Sequence, residues 1–254
     1  MKQRLYTVLI GIVSVIILIG CTQAASSKDE TEKEVLKMGT SADFKPFEFF
    51  DEDGNIVGFD IDLAQLIAQE LGYELEIEDM NFDGLIGALQ ANRVDMVLSG
   101  MSATEERAKN VDFSIEYHRS GEMFLMNKDA DIQSLEDLKG KIVGVQLGTI
   151  QEEGADLLSN EYDFEVKKID KANVLIQELI TGRIDVAYMD KEVAVGYMEE
   201  HDLVGFDDPT TASPGMAIAF PKGSELKDQV NEVLQQLIED DTLQELKEKW
   251  ELNE

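Results

Sequence analysis

From Val35 onward short apolar runs alternate with segments whose apolar residues recur every three or four positions. This pattern predicts strands alternating with amphipathic helices, an α/β architecture with largely parallel sheets. VLKMGT opens it as a strand. EFFDEDGNIVGF then carries Asp53-Gly54 between two apolar pieces, which signals a hairpin turn. The DEDGN run also matches part of a calcium loop, but Leu63 or a neighbour stands where that loop needs its closing glutamate, so the turn is preferred. GFDIDLAQLIAQELG puts Leu63, Leu66, Ile67 and Leu71 on one helical stripe. Asp60 and Asp62 fall at the positive end of the helix dipole and Gly72 at the C-cap, so these residues are read as packing and capping. YELEIEDM alternates as a half-buried strand, FDGLIGALQ starts a helix that Asn81 or Asp83 can cap, and RVDMVLSG is a buried strand ending in a glycine loop.

The second half repeats this plan. ALQANRVDMVLSGMS and ELITGRIDVAYMDKE both run helix, break at Asn92 or Gly182, Arg-Val/Ile-Asp, then a buried strand opening into a polar loop. KIVGVQLGTIQEEGADLL opens the latter half as GTSADF opens the former. Two lobes on one plan are therefore expected. In open α/β sheets ligands collect beyond the carboxyl ends of strands, so the site belongs in the cleft between the lobes.

The amino-terminal region is of another kind. Residues 1–20 combine a short basic start (Lys2, Arg4) with an apolar run from Leu5 to Ile19, and read as a signal peptide; the run is too short for a spanning helix. Leu18-Ile19-Gly20-Cys21 resembles the lipobox of bacterial lipoproteins, which makes Cys21 the candidate lipidation site and residues 21–34 a solvated tether. The composition narrows the chemistry. Of 254 residues, 53 are Asp or Glu and 22 Lys or Arg, a net charge of −31, so nucleic acid is excluded as a partner. One cysteine and two separated histidines, His118 and His201, leave little for a metal site or a nucleophilic triad, and no metal or cofactor is expected.

Four loops leave strand ends: Gly39 to Phe44, Ser99 to Arg107, Gln146 to Ile150, and Met189 to Lys191. In the second, Ser99, Gly100 and Ser102 precede a Thr104 N-cap, and Arg107 falls in the first helical turn, where a cation opposes the dipole unless an anion is near. A helix start beside a guanidinium makes a receptor for a small carboxylate. The competing reading pairs Arg107 with Glu105 or Asp112 on the surface. Thr149 and Ile150 offer the amides of another helix start, against simple capping by Thr149. Asp190 ends a buried strand, where it can take an ammonium or cap the next helix. Phe44 and Phe82 can hold the apolar part of a ligand or belong to the core; Ser41 and Asn81 can face its side chain.

The ordered motifs GTSADFKPFEF, GFDIDLAQLIAQELG, NFDGLIGALQ, RVDMVLSGMSATEERAKNVDFS, QLGT, IDVAYMD and AIAFPKGSEL resemble the bacterial extracellular solute-binding proteins of family 3, which deliver polar amino acids to ABC importers. The resemblance spans nearly all of Val35 to Glu254. It implies a two-lobe type II periplasmic-binding-protein fold, each lobe a mixed, mostly parallel sheet flanked by helices. Residues 35–118 plus 215–254 would form lobe 1 and 119–214 lobe 2, with hinges near Glu116 to Gly121 and Ala212 to Met216. It also implies that Arg107, Gly100 and Ser102 hold the α-carboxylate with amides of Thr149 and Ile150, that Asp190 holds the α-ammonium, and that Ser41, Ser99, Phe44 and Phe82 line the rest. The implied protein is a monomeric, non-enzymatic lipoprotein outside the cytoplasmic membrane, serving an ABC permease. Three departures bear on its ligand: Ser41 where many relatives have an acid, Lys191 where several have proline, and HRSG after Tyr117 in place of an aromatic pair. A polar neutral or basic amino acid, of the glutamine or arginine/lysine type, is the expected ligand. The alternatives are a dehydratase acting on a prephenate-like acid, with Glu48 or Glu122 as acid, and a stand-alone amino-acid sensor.

Overall fold

A computed structural model describes residues 33–210 and 213–252. The expected signal segment, Cys21, most of the tether, and part of the second expected hinge (Ala212) lie outside them. The chain begins with β1 (Val35–Thr40), β2 (Asp43–Phe44), β3 (Glu48–Phe50), β4 (Ile56–Val57), α1 (Phe59–Leu71), β5 (Glu74–Asp79), α2 (Leu85–Gln90), β6 (Met96–Val97) and β7 (Val111–His118). It continues through β8 (Glu122–Asn127), β9 (Ile142–Gln146), α3 (Ile150–Tyr162), β10 (Glu165–Ile169), α4 (Ala172–Ile180), β11 (Val186–Asp190), α5 (Lys191–His201) and β12 (Leu203–Asp207). It ends in β13 (Met216–Pro221), α6 (Leu226–Glu239) and α7 (Thr242–Lys249).

Two five-stranded sheets result, ordered β5-β1-β6-β13-β7 and β10-β9-β11-β8-β12, with β2-β3-β4 as a small third sheet. The chain passes from the first to the second between His118 and Glu122, and returns between Asp207 and Met216. Each large sheet has two parallel pairings, β1 with β5 and β6 in one and β9 with β10 and β11 in the other. The other two pairings in each are antiparallel, so the sheets are less dominantly parallel than the pattern predicts. The cause is the crossings: β8 and β13 are the first strands after a passage between sheets, and need no βαβ return to enter.

The repeated phrase has a structural meaning. Asn92 and Gly182, where the two phrases break, both take a left-handed backbone conformation, φ 51° and 70°. The aspartate three residues later then clamps the neighbouring strand: Asp95 accepts from the Lys37 amide at 2.8 Å, and Asp185 from the Ile142 amide at 2.7 Å. The same carboxylate ties each short central strand to the start of its parallel partner.

α1 buries Leu63 and Ile67 completely, with Leu66 and Leu71 packed at the edge, and ends on Gly72 at φ 79°. Asp53-Gly54 turns the β3–β4 hairpin as expected, pinned by Asp51, which accepts from the amides of Asp53 and Asn55. Neither Asn81 nor Asp83 caps α2 through its side chain; a 3-10 turn at Phe82–Gly84 leads into the helix instead. Gly58 joins the hairpin to α1 at φ 139°, and a Cβ there would lie 2.0 Å from the Phe47 carbonyl oxygen. Gly58→Ala is therefore expected to cost about 3 kcal/mol by backbone strain and overpacking, read by chemical denaturation; an unchanged midpoint would show that the hairpin is free to shift.

Candidate functional site

A cavity lies between the carboxyl ends of the strands of the two sheets. All ten expected contact residues line it: Ser41, Phe44, Phe82, Ser99, Gly100, Ser102 and Arg107 from the first half, Thr149, Ile150 and Asp190 from the second. Asn81 does not line it and is exposed. Asp43, Gln146 and Gln151, which were not among the expected contacts, do, and so does Glu48, named from sequence only as the acid of the dehydratase alternative.

Arg107 sits in a single 3-10 turn, Arg107–Lys109, rather than in the first turn of an α-helix; the Thr104 hydroxyl accepts its amide at 3.2 Å. The expected dipole of a helix start is therefore missing on this side. Its guanidinium is buried, 7% exposed, with the Phe82 ring 5.3 Å away. It donates to the carbonyls of Ser102 at 2.7 Å and, across the cleft, Gly148 at 3.0 Å. Surface pairing is overturned: Asp112 is bonded to Lys222, and Arg107 makes no ion pair among the described residues. Burial lowers its pKa to about 10, so it stays charged at neutral pH. A buried cation satisfied only by carbonyl oxygens leaves a place for an anion.

Further hydrogen-bond donors at the cavity wall come from α3. Thr149 caps it, its hydroxyl accepting from the Glu152 amide at 3.2 Å and donating to the Gln146 carbonyl at 2.7 Å. The hydroxyl is thus committed to the cap, while the amides at the start of α3, which have no partner within the helix, stand at the cavity wall. Gly100 differs from expectation: its amide donates to buried Asp60 at 2.8 Å and is not available to a carboxylate. Its φ of 52° and missing side chain instead admit Phe44, whose ring carbons would lie 2.9 Å from a Cβ. Asp60, read from sequence as a helix-dipole residue, is a fully buried carboxylate beneath this loop.

Asp190 caps α5 and lines the cavity at once, accepting from the amides of Glu192 at 2.9 Å and Val193 at 3.3 Å. The HRSG departure reaches this point: the Ser120 hydroxyl donates to Asp190 at 3.0 Å, and His118 pairs with Glu192 at 2.7 Å. Lys191, the second departure, pairs with Asp207 at the surface. Burial raises the Asp190 pKa to about 7. On the opposite strand Glu122 is held at about 8, by burial and then by the Asp190 charge; Gln151 bridges from it to the cavity.

Ser41 carries no charge, but acid returns from its neighbours. Its hydroxyl donates to Asp43 at 3.1 Å, its amide to Ser99, and Ser99 to Glu48 at 2.8 Å. Asp43 also reaches across the cleft to cap α4 through the Ala172 amide at 2.8 Å. The enclosure of Asp43 and Glu48 escapes a sequence reading because β2 and β3 are only two and three residues long, too short for a periodicity to reveal which side chains are enclosed. Among the described residues no group of three or more His, Cys, Asp and Glu could hold a metal ion, and no helix is long and apolar enough to cross a membrane.

Two mixed sheets, two chain crossings and a cavity at the facing strand ends define a type II periplasmic binding protein. Residues 36–253 match the family model of bacterial extracellular solute-binding proteins, family 3, and the chain belongs to that family. It is 48% identical over 230 residues to the arginine-binding extracellular protein ArtP of Bacillus subtilis (strain 168), covering 89% of this chain and 90% of that one. Among solved structures it resembles an ancestral arginine-binding protein bound to arginine, with TM-score 0.82 and 42% identity over 86% of this chain and 99% of that one. It resembles the ancestral arginine-binding protein bound to glutamine equally well, with TM-score 0.82 and 41% identity over 87% and 99%.

The buried carboxyls make ligand-free stability depend on pH. Asp60 (about 6), Asp190 (about 7) and Glu122 (about 8) lie above their ordinary values of 3.8, 3.8 and 4.5. The folded state therefore holds protons that the unfolded chain releases, and stability is lost as pH rises through those values. The melting temperature of the ligand-free protein is expected to fall from about pH 5 to about pH 8; a flat or rising profile would contradict these burials.

Proposed function

We propose that the cavity binds an L-amino acid with a cationic side chain, of the arginine type, and that the chain delivers it to an ABC import permease outside the cytoplasmic membrane. The observation that carries this reading is a buried guanidinium, in no ion pair among the described residues, facing a buried carboxylate across one cavity. The α-carboxylate is taken by Arg107, the Ser102 amide and hydroxyl, and the amides at the start of α3. The α-ammonium is taken by Asp190. A zwitterion thus uses one positive and one negative group of the wall and leaves Asp43 and Glu48, so the surplus is acidic and suits a cation. Relatives named for arginine binding support the choice.

Residues 35–118 with 215–254, and 119–214, act as two lobes hinged where the chain crosses. The ligand docks on Arg107 in the first lobe, and closure brings in Asp190, the α3 amides, the Arg107–Gly148 bond and the Asp43 cap on α4. Contacts made only in the closed state are what shift the equilibrium toward it. Cys21 supplies the lipid anchor and residues 22–34 the tether. Binding, not turnover, is the activity: the second carboxylate of a prephenate-like acid would meet the acidic side chains Asp43 and Glu48 and, among the lining residues, no second cation.

Arg107→Ala and Asp190→Asn are each expected to weaken arginine binding by about 3 kcal/mol, roughly a hundredfold or more, because each leaves a charged ligand group buried and unpaired. Calorimetric titration with arginine reads this, and wild-type affinity in either variant would overturn the assignment.

A further inference from the structure

Behind the first-half wall of the cavity lies a pair of fully buried carboxyls, Glu48 on β3 and Asp60 on α1. Glu48 lines the cavity, and its Oε1 accepts from the Ser99 hydroxyl at 2.8 Å. Asp60 Oδ2 accepts from the Gly100 amide at 2.8 Å and the Tyr117 hydroxyl at 2.9 Å. The remaining oxygens, Glu48 Oε2 and Asp60 Oδ1, are buried and accept from no donor. The two carboxyls are within hydrogen-bonding reach of each other, and such a pair is satisfied when one proton lies between them.

The surroundings favour keeping that proton. From β2, Asp43 adds a negative charge, and its own carboxylate is engaged by Ser41 and the Ala172 amide, with Lys171 and Asp79 beyond. From β7 come the Tyr117 hydroxyl and His118, whose ring is paired with Glu192 of α5 and whose charge bears on Asp60. The charges that bear most on Glu48 are both negative, Asp60 and Asp43; with burial they raise its pKa well above the usual range. The side facing the cavity is where a cation can arrive.

Resting on the amino-acid reading of the cavity, we propose that the cationic end of the ligand side chain docks against Glu48 and expels its proton, so that binding exchanges one cation for one proton. The Glu48 O–H bond breaks, the electron pair stays on the carboxylate and the proton goes to solvent; the wall gains one negative charge and the arriving cation offsets it. A neutral side chain leaves the proton in place and meets a hydrogen-bond donor instead. Glu48 is thereby a specificity-determining residue, and the protonation of the pair separates cationic from neutral ligands.

The test is calorimetric titration near neutral pH in two buffers of different ionisation enthalpy, with arginine and with its neutral isostere citrulline; glutamine replaces citrulline if that does not bind. Asp190 releases protons to either ligand, so the difference between ligands isolates the pair. Arginine is expected to release up to about one proton more than the neutral ligand. Glu48→Gln should abolish the difference and cost arginine more than about tenfold, while the neutral ligand changes less than about threefold. Should that variant not fold, Asp60→Asn removes the repulsion that keeps Glu48 protonated and should shrink the difference. Equal proton counts with both ligands bound, or a difference that survives in the folded variant, overturn the exchange and leave amino-acid binding standing. Failure of arginine and neutral ligands alike to bind overturns both.

Discussion

A buried guanidinium that forms no ion pair among the described residues is the constraint on which the molecule turns. Arg107 is enclosed by Phe82, the Ser102 carbonyl and, from the other half of the chain, the Gly148 carbonyl. Carbonyl dipoles lower the cost of burying it but do not neutralise it. What completes the site must be negative, small and held by both halves at once. The start of α3, brought in by a Gly-Thr turn after β9, offers amides for the same group. On the proposed hinge closure, affinity and closure have one origin, since the proposed ligands of the anion are divided between the two lobes.

The same economy governs the acids. Asp190 and Asp43 each cap a helix while lining the cavity, so each carboxylate both fixes backbone, Asp190 that of the helix it opens and Asp43 that of a helix in the other half, and sets the local field. Burial raises the Asp190 pKa to about 7, and a cation bound beside it would pull it into its charged form. The net charge of −31 says little about this, because exposed charges are screened over about 8 Å at physiological salt whereas enclosed ones are not.

Much of this was legible in the residues, for identifiable reasons. The repeat of helix, left-handed break, Arg, aliphatic and Asp is visible because its apolar strands and glycine-like breaks are local signals, and the structure adds that its aspartates clamp β1 and β9. Arg107 stood out because a cation opposes the dipole of a helix start, and Asp190 because it is a carboxylate at the end of a buried strand. Their pairing in one cavity, and the architecture itself, came chiefly from the family resemblance. What stayed hidden is burial imposed by tertiary approach. Asp60 looks like any acid in a first helical turn, yet the loop at Gly100 closes over it; Glu48 looks like the polar face of a short strand, yet it is enclosed. The Gly100 amide was assigned to a ligand for the same reason, since nothing local says that Asp60 has already taken it.

The central claim is the orientation of a zwitterion between Arg107 and Asp190, and a crystal structure of the complex with arginine tests it most directly. The account predicts the α-carboxylate against the Arg107 guanidinium and the first amides of α3, the α-ammonium on Asp190, and the guanidinium end toward Glu48. A ligand lying in reverse, with its side chain on Asp190 and its carboxylate away from Arg107, would contradict it.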